Sequence, residues 1–285
     1  MMIHRAILFF LISLLLTACV TTDSKKGMDM FFTAIDVTKK ASRPISDEEE
    51  YYVGRAVAAR IFSFYPLLEN KRLTNYLNVV GRALTLHSER PFTYGGYHFA
   101  VLNSEEANAF ACPGGIILIT KGMVDIAQNE DELAAILAHE IAHINYRHGI
   151  SSIQQSRWTE ALTIIGAKAV KEYGSQELSR LVNIFEDSID DVFKTLVANG
   201  YGQSQEFMAD EAAKVYLTSA GYNPSALINV LECLDRYSTK SNRGIVKTHP
   251  DTLDRIENLK KNIVATQVYT TTENRSKRFK SAIAN

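Results

Sequence analysis

The feature that most constrains the fold is residues 129–148, where apolar side chains recur with the period of a helix. The stripe consists of Leu133, Ile136, Leu137, Ile141 and Ile144. Other elements must cover such a stripe, so this segment is predicted to be a helix at the centre of a domain. Three polar residues, His139, Glu140 and His143, interrupt it. Buried polar groups need partners, so we expect these three side chains to form a site.

The run His139-Glu140-Ile141-Ala142-His143 has the form H-E-x-x-H. Residues four apart in a helix are separated by about 40° around the axis and about 6 Å along it, so both imidazoles point the same way. Two imidazoles so placed can bind one Zn²⁺, with Glu140 beside the metal and not on it. Glu140 is then positioned to take a proton from a water molecule that zinc polarises.

A third ligand is predicted in Gln205-Glu206-Phe207-Met208-Ala209-Asp210. Glu206 and Asp210 are also four apart in a helical pattern, so one carboxylate can bind zinc while the other accepts a hydrogen bond from a ligand histidine. A solvated helix face is the alternative for this pair. Two His, one Glu and a water molecule form the open site of a hydrolytic zinc enzyme, with one Zn²⁺ per chain.

Residues 1–18 have the pattern of a secretory signal, with Arg5 ahead of an apolar stretch. That stretch is shorter than the roughly 20 residues that span a bilayer. Leu16-Thr17-Ala18-Cys19 resembles the lipobox of bacterial lipoproteins, which implies acylation of Cys19. Val20 is not the Asp typical of inner-membrane retention, so the resemblance implies the periplasmic face of the outer membrane. Residues 19–44 are polar and are predicted to be a tether.

The net charge of the chain argues against nucleic acid as a partner. The chain has 31 Lys and Arg against 32 Asp and Glu, so no basic field exists to attract nucleic acid.

Besides Cys19, the chain contains Cys112 and Cys233. In an oxidising compartment the two could pair, or both could be buried as thiols.

The chain of 285 residues is predicted to form one α+β domain, mainly helical with a small sheet beside the H-E-x-x-H helix. The domain is placed at residues 45–265, and residues 266–285 are predicted to be a frayed, polar, basic tail. Residues 150–200 hold two helical patterns and are a candidate lid. Strands are predicted at 97–102 and 116–119, and further helices at 46–62, 73–84, 203–218, from 223 and at 250–264.

The sequence resembles the HtpX-like and BepA-like zinc metallopeptidases, metallopeptidase family forty-eight of gluzincin type. The resemblance covers about residues 46–263 and is strongest with periplasmic lipoprotein members. Many members carry Ser-Arg after Gly-Tyr, where this chain has Gly202-Gln203 after Gly200-Tyr201. The residues that match are His139, Glu140, His143, Glu206, Asp210, Asn108, Ala109, Phe110, Pro113, Gly114, Gly115, His249, Pro250 and Arg255.

The resemblance implies a zincin-like endopeptidase with His139, His143 and Glu206 as zinc ligands and Glu140 as the catalytic acid and base. It also implies unfolded or misassembled envelope proteins as substrates, and outer-membrane assembly machinery as a possible partner. A lipid on Cys19 would attach the protein to the membrane.

Two further groups of residues are candidates. His249 is expected to stabilise the oxyanion, to occupy the open zinc position or simply to start a helix. Arg255, in that helix, is expected to turn back toward the site. An extended peptide could pair with an edge strand near the metal helix, because Asn108 to Thr120 is predicted to be a loop followed by a strand. The candidate substrate residues there are Asn108, Ala109, Phe110, Gly114 and Gly115.

Two alternatives use the same residues. A zinc-containing assembly chaperone would bind clients with little or no proteolysis. A di-iron bundle would use Glu140-x-x-His143 but needs a second copy of that element, which the sequence lacks. His87, His98 and His148 are expected to be structural, because His148 lies five residues after His143 and off the ligand face.

Overall fold

The computed structural model describes residues 44–151, 153, 186–238, 244–262 and 273–284. Apart from Pro44, these residues belong to one compact unit, Ile45–Gln154 with Glu186–Asn285. The predicted α+β class is confirmed, with many helices around one small sheet. Within the described segments, no helix is long and apolar enough to span a membrane.

The first half of the domain contains the sheet and the central helix. Its elements are α1 (Asp47–Phe64), α2 (Lys71–Thr85), β1 (His98–Leu102), β2 (Ala109–Cys112), β3 (Ile116–Thr120), α3 (Lys121–Ile126), α4 (Glu130–Asn145) and α5 (His148–Ser151). Residues 186–194 are helical and continue into a π-helical turn, Thr195–Asn199. The second half contains α6 (Gln203–Ser219), α7 (Ala226–Ser238), α8 (Ile245–Thr248), α9 (Thr252–Asn262) and α10 (Glu273–Ile283).

Local side-chain bonds start the two helices that frame the sheet. The Glu49 amide donates to Ser46 Oγ and the Ser46 amide donates to the Glu49 side chain, which together form a capping box at the start of α1. At α4, the Asn129 side chain accepts the amide of Glu132. Both helices therefore begin where the sequence provides a cap.

The three strands have the order β1-β3-β2, with β1 parallel to β3 and β2 antiparallel to it. The sequence predicted a loop from Asn103 to Gly115, but this stretch contains β2 and a 3₁₀ turn, Pro113–Gly115. All four residues of β2 are buried, so the strand lacks the apolar–polar alternation that marks a strand in sequence.

Helix α4 is the centre of the domain, because every one of its residues is buried. One apolar cluster joins α4 and α2 to one face of the sheet, through residues such as Leu77, Phe99 and Leu137. A second cluster joins α1 to the other face through Val57 and Leu118, among others. Helices therefore cover the sheet on both faces.

The C-terminal segment corrects one prediction. Residues 266–285 were expected to be a frayed tail, but Glu273–Ile283 form α10, with Phe279 and Ala282 buried. Arg275 Nη1 lies 3.0 Å from Asp131 Oδ1, and Arg278 pairs with the buried Glu130. These partners lie more than 140 residues earlier in the chain, so local composition does not reveal them.

Two other predictions concern the helix at 250–264 and the candidate lid. The final helix predicted at 250–264 is α9, Thr252–Asn262. The candidate lid at 150–200 lies largely outside the described residues.

Candidate zinc site and catalytic cleft

Helices α4 and α6 pack together so that the three predicted zinc ligands meet. The Nε2 atoms of His139 and His143 are 3.1 Å apart. Glu206 Oε2 lies 3.4 Å from His139 Nε2, and Glu206 Oε1 lies 3.5 Å from His143 Nε2. All three side chains are buried. The structure thus brings together three groups that the sequence separates by 67 positions.

His249 is the fourth member of this cluster. It follows α8, where its amide donates to Ile245 O. Its Nδ1 is 3.2 Å from His139 Nε2 and 3.0 Å from Glu206 Oε1. The four ligand atoms all lie within 4.8 Å of one another. His249 is therefore placed as a potential ligand and not only as the start of α9.

The donor set fits one Zn²⁺. Tetrahedral zinc with bonds of about 2.0–2.1 Å separates its ligand atoms by about 3.3 Å, close to the distances above. Three buried carboxylates, Glu140, Glu206 and Asp210, face the single guanidinium of Arg255. With the imidazoles of the cluster neutral, as zinc ligation requires, this leaves two formal negative charges, which a divalent cation would balance.

Asp210 and Arg255 contact the predicted zinc ligands His139 and Glu206. Asp210 Oδ1 lies 3.0 Å from His139 Nδ1, the ring atom that faces away from the cluster. Arg255 donates to both oxygens of Asp210, at 2.7 and 2.8 Å, and its Nη1 lies 2.7 Å from Glu206 Oε2. Asp210 has the position expected of a partner to a ligand histidine, and Arg255 turns back toward the site as expected.

The pKa values of the two predicted ligand histidines are shifted in opposite directions. Burial and the nearby Arg255 act to lower the pKa of His139, but the Asp210 and Glu206 carboxylates outweigh them and raise it to about 9. Burial, and then His139, hold the pKa of His143 well below its ordinary value. Zinc binding must therefore displace a proton from His139, since only a neutral imidazole nitrogen can ligate.

The carboxylates remain ionised despite their burial. Burial acts to raise the pKa of Glu206, but His249 and Arg255 hold it well below the usual range. Burial also acts to raise the pKa of Asp210, and Arg255 again reverses the shift. A negative cluster of this kind favours a cation at its centre.

Glu140 lies beside the cluster, with Oε1 3.8 Å from His249 Nε2. Its other oxygen, Oε2, is buried and has no hydrogen-bond partner in the described part of the chain. A buried carboxylate oxygen without a donor can accept a proton from an attacking water molecule, which is the role predicted from the sequence.

His148 lies outside the group of potential ligands, as expected, but it contacts one of them. Its Nδ1 lies 2.9 Å from His143 Nδ1, a contact that the sequence did not indicate. Helix α4 ends at Asn145, and Arg147 has a φ of 54°, so the chain turns and α5 starts at His148. Burial lowers the pKa of His148 to about 4, so its ring is neutral near pH 7.

Tyr201 is the second neighbour that was not singled out. Its ring stacks on His143, with centroids 4.0 Å apart and an interplanar angle of 17°. The only sequence signal was its place in Gly200-Tyr201, just ahead of the helix that carries Glu206.

The residues predicted to bind substrate are all buried, and not all face the cleft. Asn108 Oδ1 accepts the Ala109 amide and lies 3.4 Å from Thr248 Oγ1, beside His249. Phe110 instead packs in the cluster around α1, and the Gly114 amide donates to Glu50. Gly114 and Gly115 have φ values of 75° and 111°, so they shape the turn after β2.

The two cysteines of the domain do not form a disulfide. Cys112 and Cys233 are both free thiols. Cys112 is fully buried, as the alternative to pairing required, whereas Cys233 is partly exposed.

A buried helix with H-E-x-x-H, a glutamate on a second helix and a buried carboxylate with one unpartnered oxygen are the features expected of a zinc metalloendopeptidase. The chain belongs to Peptidase family M48, whose sequence profile matches residues 70–263. Members of this family are zinc-dependent, so the predicted enzyme class and cofactor are confirmed.

Two relatives illustrate the similarity. Over 221 residues the chain is 27% identical to the beta-barrel assembly-enhancing protease of Escherichia coli (strain K12), covering 76% of this chain and 44% of that protein. The match thus spans less than half of that relative. Over 265 residues it is 25% identical to metalloprotease LoiP of the same organism, covering 91% of this chain and 96% of that protein.

Proposed function

We propose that this metalloendopeptidase hydrolyses peptide bonds in unfolded or misassembled proteins of the bacterial envelope, as a lipoprotein on the periplasmic side of the outer membrane. The observation that carries the hydrolytic role is the unpaired Glu140 oxygen beside a cluster that fits zinc. The location is supported by the signal pattern ending at Cys19 and by the relative named for β-barrel assembly.

We assign each side chain of the cluster a separate task. His139, His143 and Glu206 would hold the zinc ion, and Asp210 would keep the His139 ring turned so that Nε2 faces the metal. When bound there, zinc would supply Lewis-acid chemistry that polarises the substrate carbonyl and makes water more acidic. Glu140 takes the proton from the attacking water and delivers it to the leaving amine.

We propose that His249 is a fourth ligand in a resting form of the enzyme. Its Nδ1 lies as close to His139 Nε2 and Glu206 as the predicted ligands lie to one another. A neutral imidazole in this place competes with water, so hydrolysis requires His249 to move away. The other role considered for His249, stabilising the oxyanion, is supported less by this placement.

Digestion of an unfolded protein tests the proposal. Residues 19–285, purified without the lipid, should contain about one zinc per chain and should degrade unfolded casein until a chelator is added. Glu140→Gln should retain zinc and lose cleavage, because only the proton acceptor is removed.

The same experiment separates the enzyme from the chaperone alternative. A wild-type protein that binds zinc and unfolded outer-membrane protein, yet cleaves neither that protein nor casein, would contradict the proposed function. Zinc retained at full stoichiometry in both His143→Ala and Glu206→Ala would contradict the ligand assignment.

A further inference from the structure

The Tyr201 hydroxyl is a buried polar group with no explained role. Tyr201 is 5% exposed, and its Oη has no hydrogen-bond partner among the described residues. A buried hydroxyl without a partner lowers stability, because it has lost its bonds to water. Such a group beside the metal cluster points to a partner that arrives with the substrate.

The ring of Tyr201 packs against the predicted metal ligands. It stacks on His143, and its centroid lies 5.6 Å from that of His249. Its backbone amide donates to Thr248 O at 3.1 Å. The tyrosine is thus fixed between one zinc ligand and the segment that carries His249.

Gly200 makes this placement possible. Its φ is 78°, and a Cβ there would lie 2.6 Å from Thr248 O and 2.8 Å from Lys247 O. Only glycine allows the chain to approach α8 so closely with this backbone conformation. The approach directs Tyr201 into the cleft just before α6 begins.

The Arg255 guanidinium and His249 Nδ1 are already engaged within the cluster. The Arg255 guanidinium is bound to Asp210 and Glu206, and His249 Nδ1 lies within the ligand set. In the described segments, the unpaired buried side-chain atoms of this cleft are Glu140 Oε2, an acceptor, and Tyr201 Oη, a donor. Peptide hydrolysis needs one of each, an acceptor for the proton of water and a donor for the oxyanion.

We propose that Tyr201 is a further catalytic residue, whose hydroxyl donates a hydrogen bond to the carbonyl oxygen of the scissile peptide bond as that oxygen gains negative charge. The phenol keeps its proton throughout, and no bond to Tyr201 forms or breaks. This inference rests on the proposed function, because it concerns the same cleft.

The test is Tyr201→Phe, which keeps the ring on His143 and removes only the hydroxyl. Loss of one oxyanion donor lowers kcat by about 100- to 1,000-fold, and we expect a fall in this range with KM and zinc content within about twofold of wild type. A phosphinic peptide, which resembles the tetrahedral intermediate, should bind more weakly by a similar factor. Tyr146→Phe is the matched control, because Tyr146 lies near His148 and outside the metal cluster.

Several results would overturn the inference. An unchanged kcat and phosphinate affinity would show that the hydroxyl does not meet the oxyanion. Loss of zinc or failure of Tyr201→Phe to fold would assign the hydroxyl to the site's structure instead. A wild-type protein without protease activity would contradict the proposed function, and the phosphinate affinities of wild type and Tyr201→Phe would still decide the role of Tyr201.

Discussion

At the scale of single residues, each predicted ligand has its own supporting neighbour. Asp210 contacts His139, Arg255 contacts Glu206, and His148 contacts His143. If His143 binds zinc through Nε2, its Nδ1–H donates to the neutral His148 ring. The orientation of His143 then depends on a residue that is not itself a ligand.

Replacing His148 should therefore weaken zinc binding. We expect His148→Ala to lower zinc affinity by about 10- to 100-fold, the usual effect of losing a hydrogen-bond partner of a metal ligand. His148→Asn, which offers an amide oxygen as acceptor, should recover part of the loss. Competition with a chromophoric chelator measures both, and the exposed His98→Ala serves as control. Equal affinities in all four proteins would show that His148 has no influence on the site.

His249 gives a prediction with a definite sign. Its position among the ligands implies that His249→Ala removes a competitor of water, so basal casein digestion should rise while zinc remains bound. If the open form is populated to about 10%, the rise is about 10-fold. A lower rate with intact zinc would assign His249 to the oxyanion, and an unchanged rate would leave it a structural role.

Helical geometry explains which of the predicted residues the structure brings together. His139 and His143, and likewise Glu206 and Asp210, are each four apart within one helix, and each pair faces the site as expected. His148 and Tyr201 lie outside those helices, one after a turn at Arg147 and one before α6. Periodicity does not describe such positions, because the backbone direction changes there.

At the scale of elements, α10 packs against the start of α4, the helix that carries two of the predicted metal ligands. Glu130, in the first turn of α4, is fully buried and accepts hydrogen bonds from Tyr76 and Tyr222 at 2.8 and 3.1 Å. Arg278 of α10 is its charged partner. The C-terminal helix therefore neutralises a buried carboxylate inside the domain.

Removing that partner should destabilise the whole domain. We expect Arg278→Ala to lower the free energy of unfolding by about 1–3 kcal/mol, since Glu130 keeps its tyrosine bonds but loses its hydrogen-bonded cation and retains only Arg275, whose Nε lies 4.0 Å away. Lys277→Ala, at the preceding position, removes a pair with the exposed Glu273 and should change the free energy of unfolding by less than about 1 kcal/mol. Urea unfolding compares the two. Equal effects would show that the Glu130 pair adds nothing beyond a surface ion pair.

Long, periodic helices were the elements that the sequence predicted well. The caps of α1 and α4 and the course of α6 follow from local residues. Strand β2 and helix α10 were missed for one shared reason. Both owe their structure to distant partners, β3 in the first case and α4 in the second.

At the scale of the whole molecule, the domain is joined to the proposed membrane anchor through residues 19–44. Lipid acylation with more than one chain gives stable attachment that a single chain does not. We expect Cys19→Ala to appear in the soluble periplasmic fraction and to digest casein at the wild-type rate once purified. Cell fractionation with antibody detection measures this, and a variant that still sediments with the outer membrane would contradict the lipid anchor.

The complete burial of α4 has a consequence for how the apoprotein behaves. Amide hydrogens of a helix enclosed on every side exchange with solvent only when the surrounding domain opens. We expect the amides around His139 and His143 to be among the slowest to exchange deuterium, even after zinc has been removed. Loading and unloading of the metal then require movement of side chains such as His249, while the helix that supplies two of the ligands keeps its place.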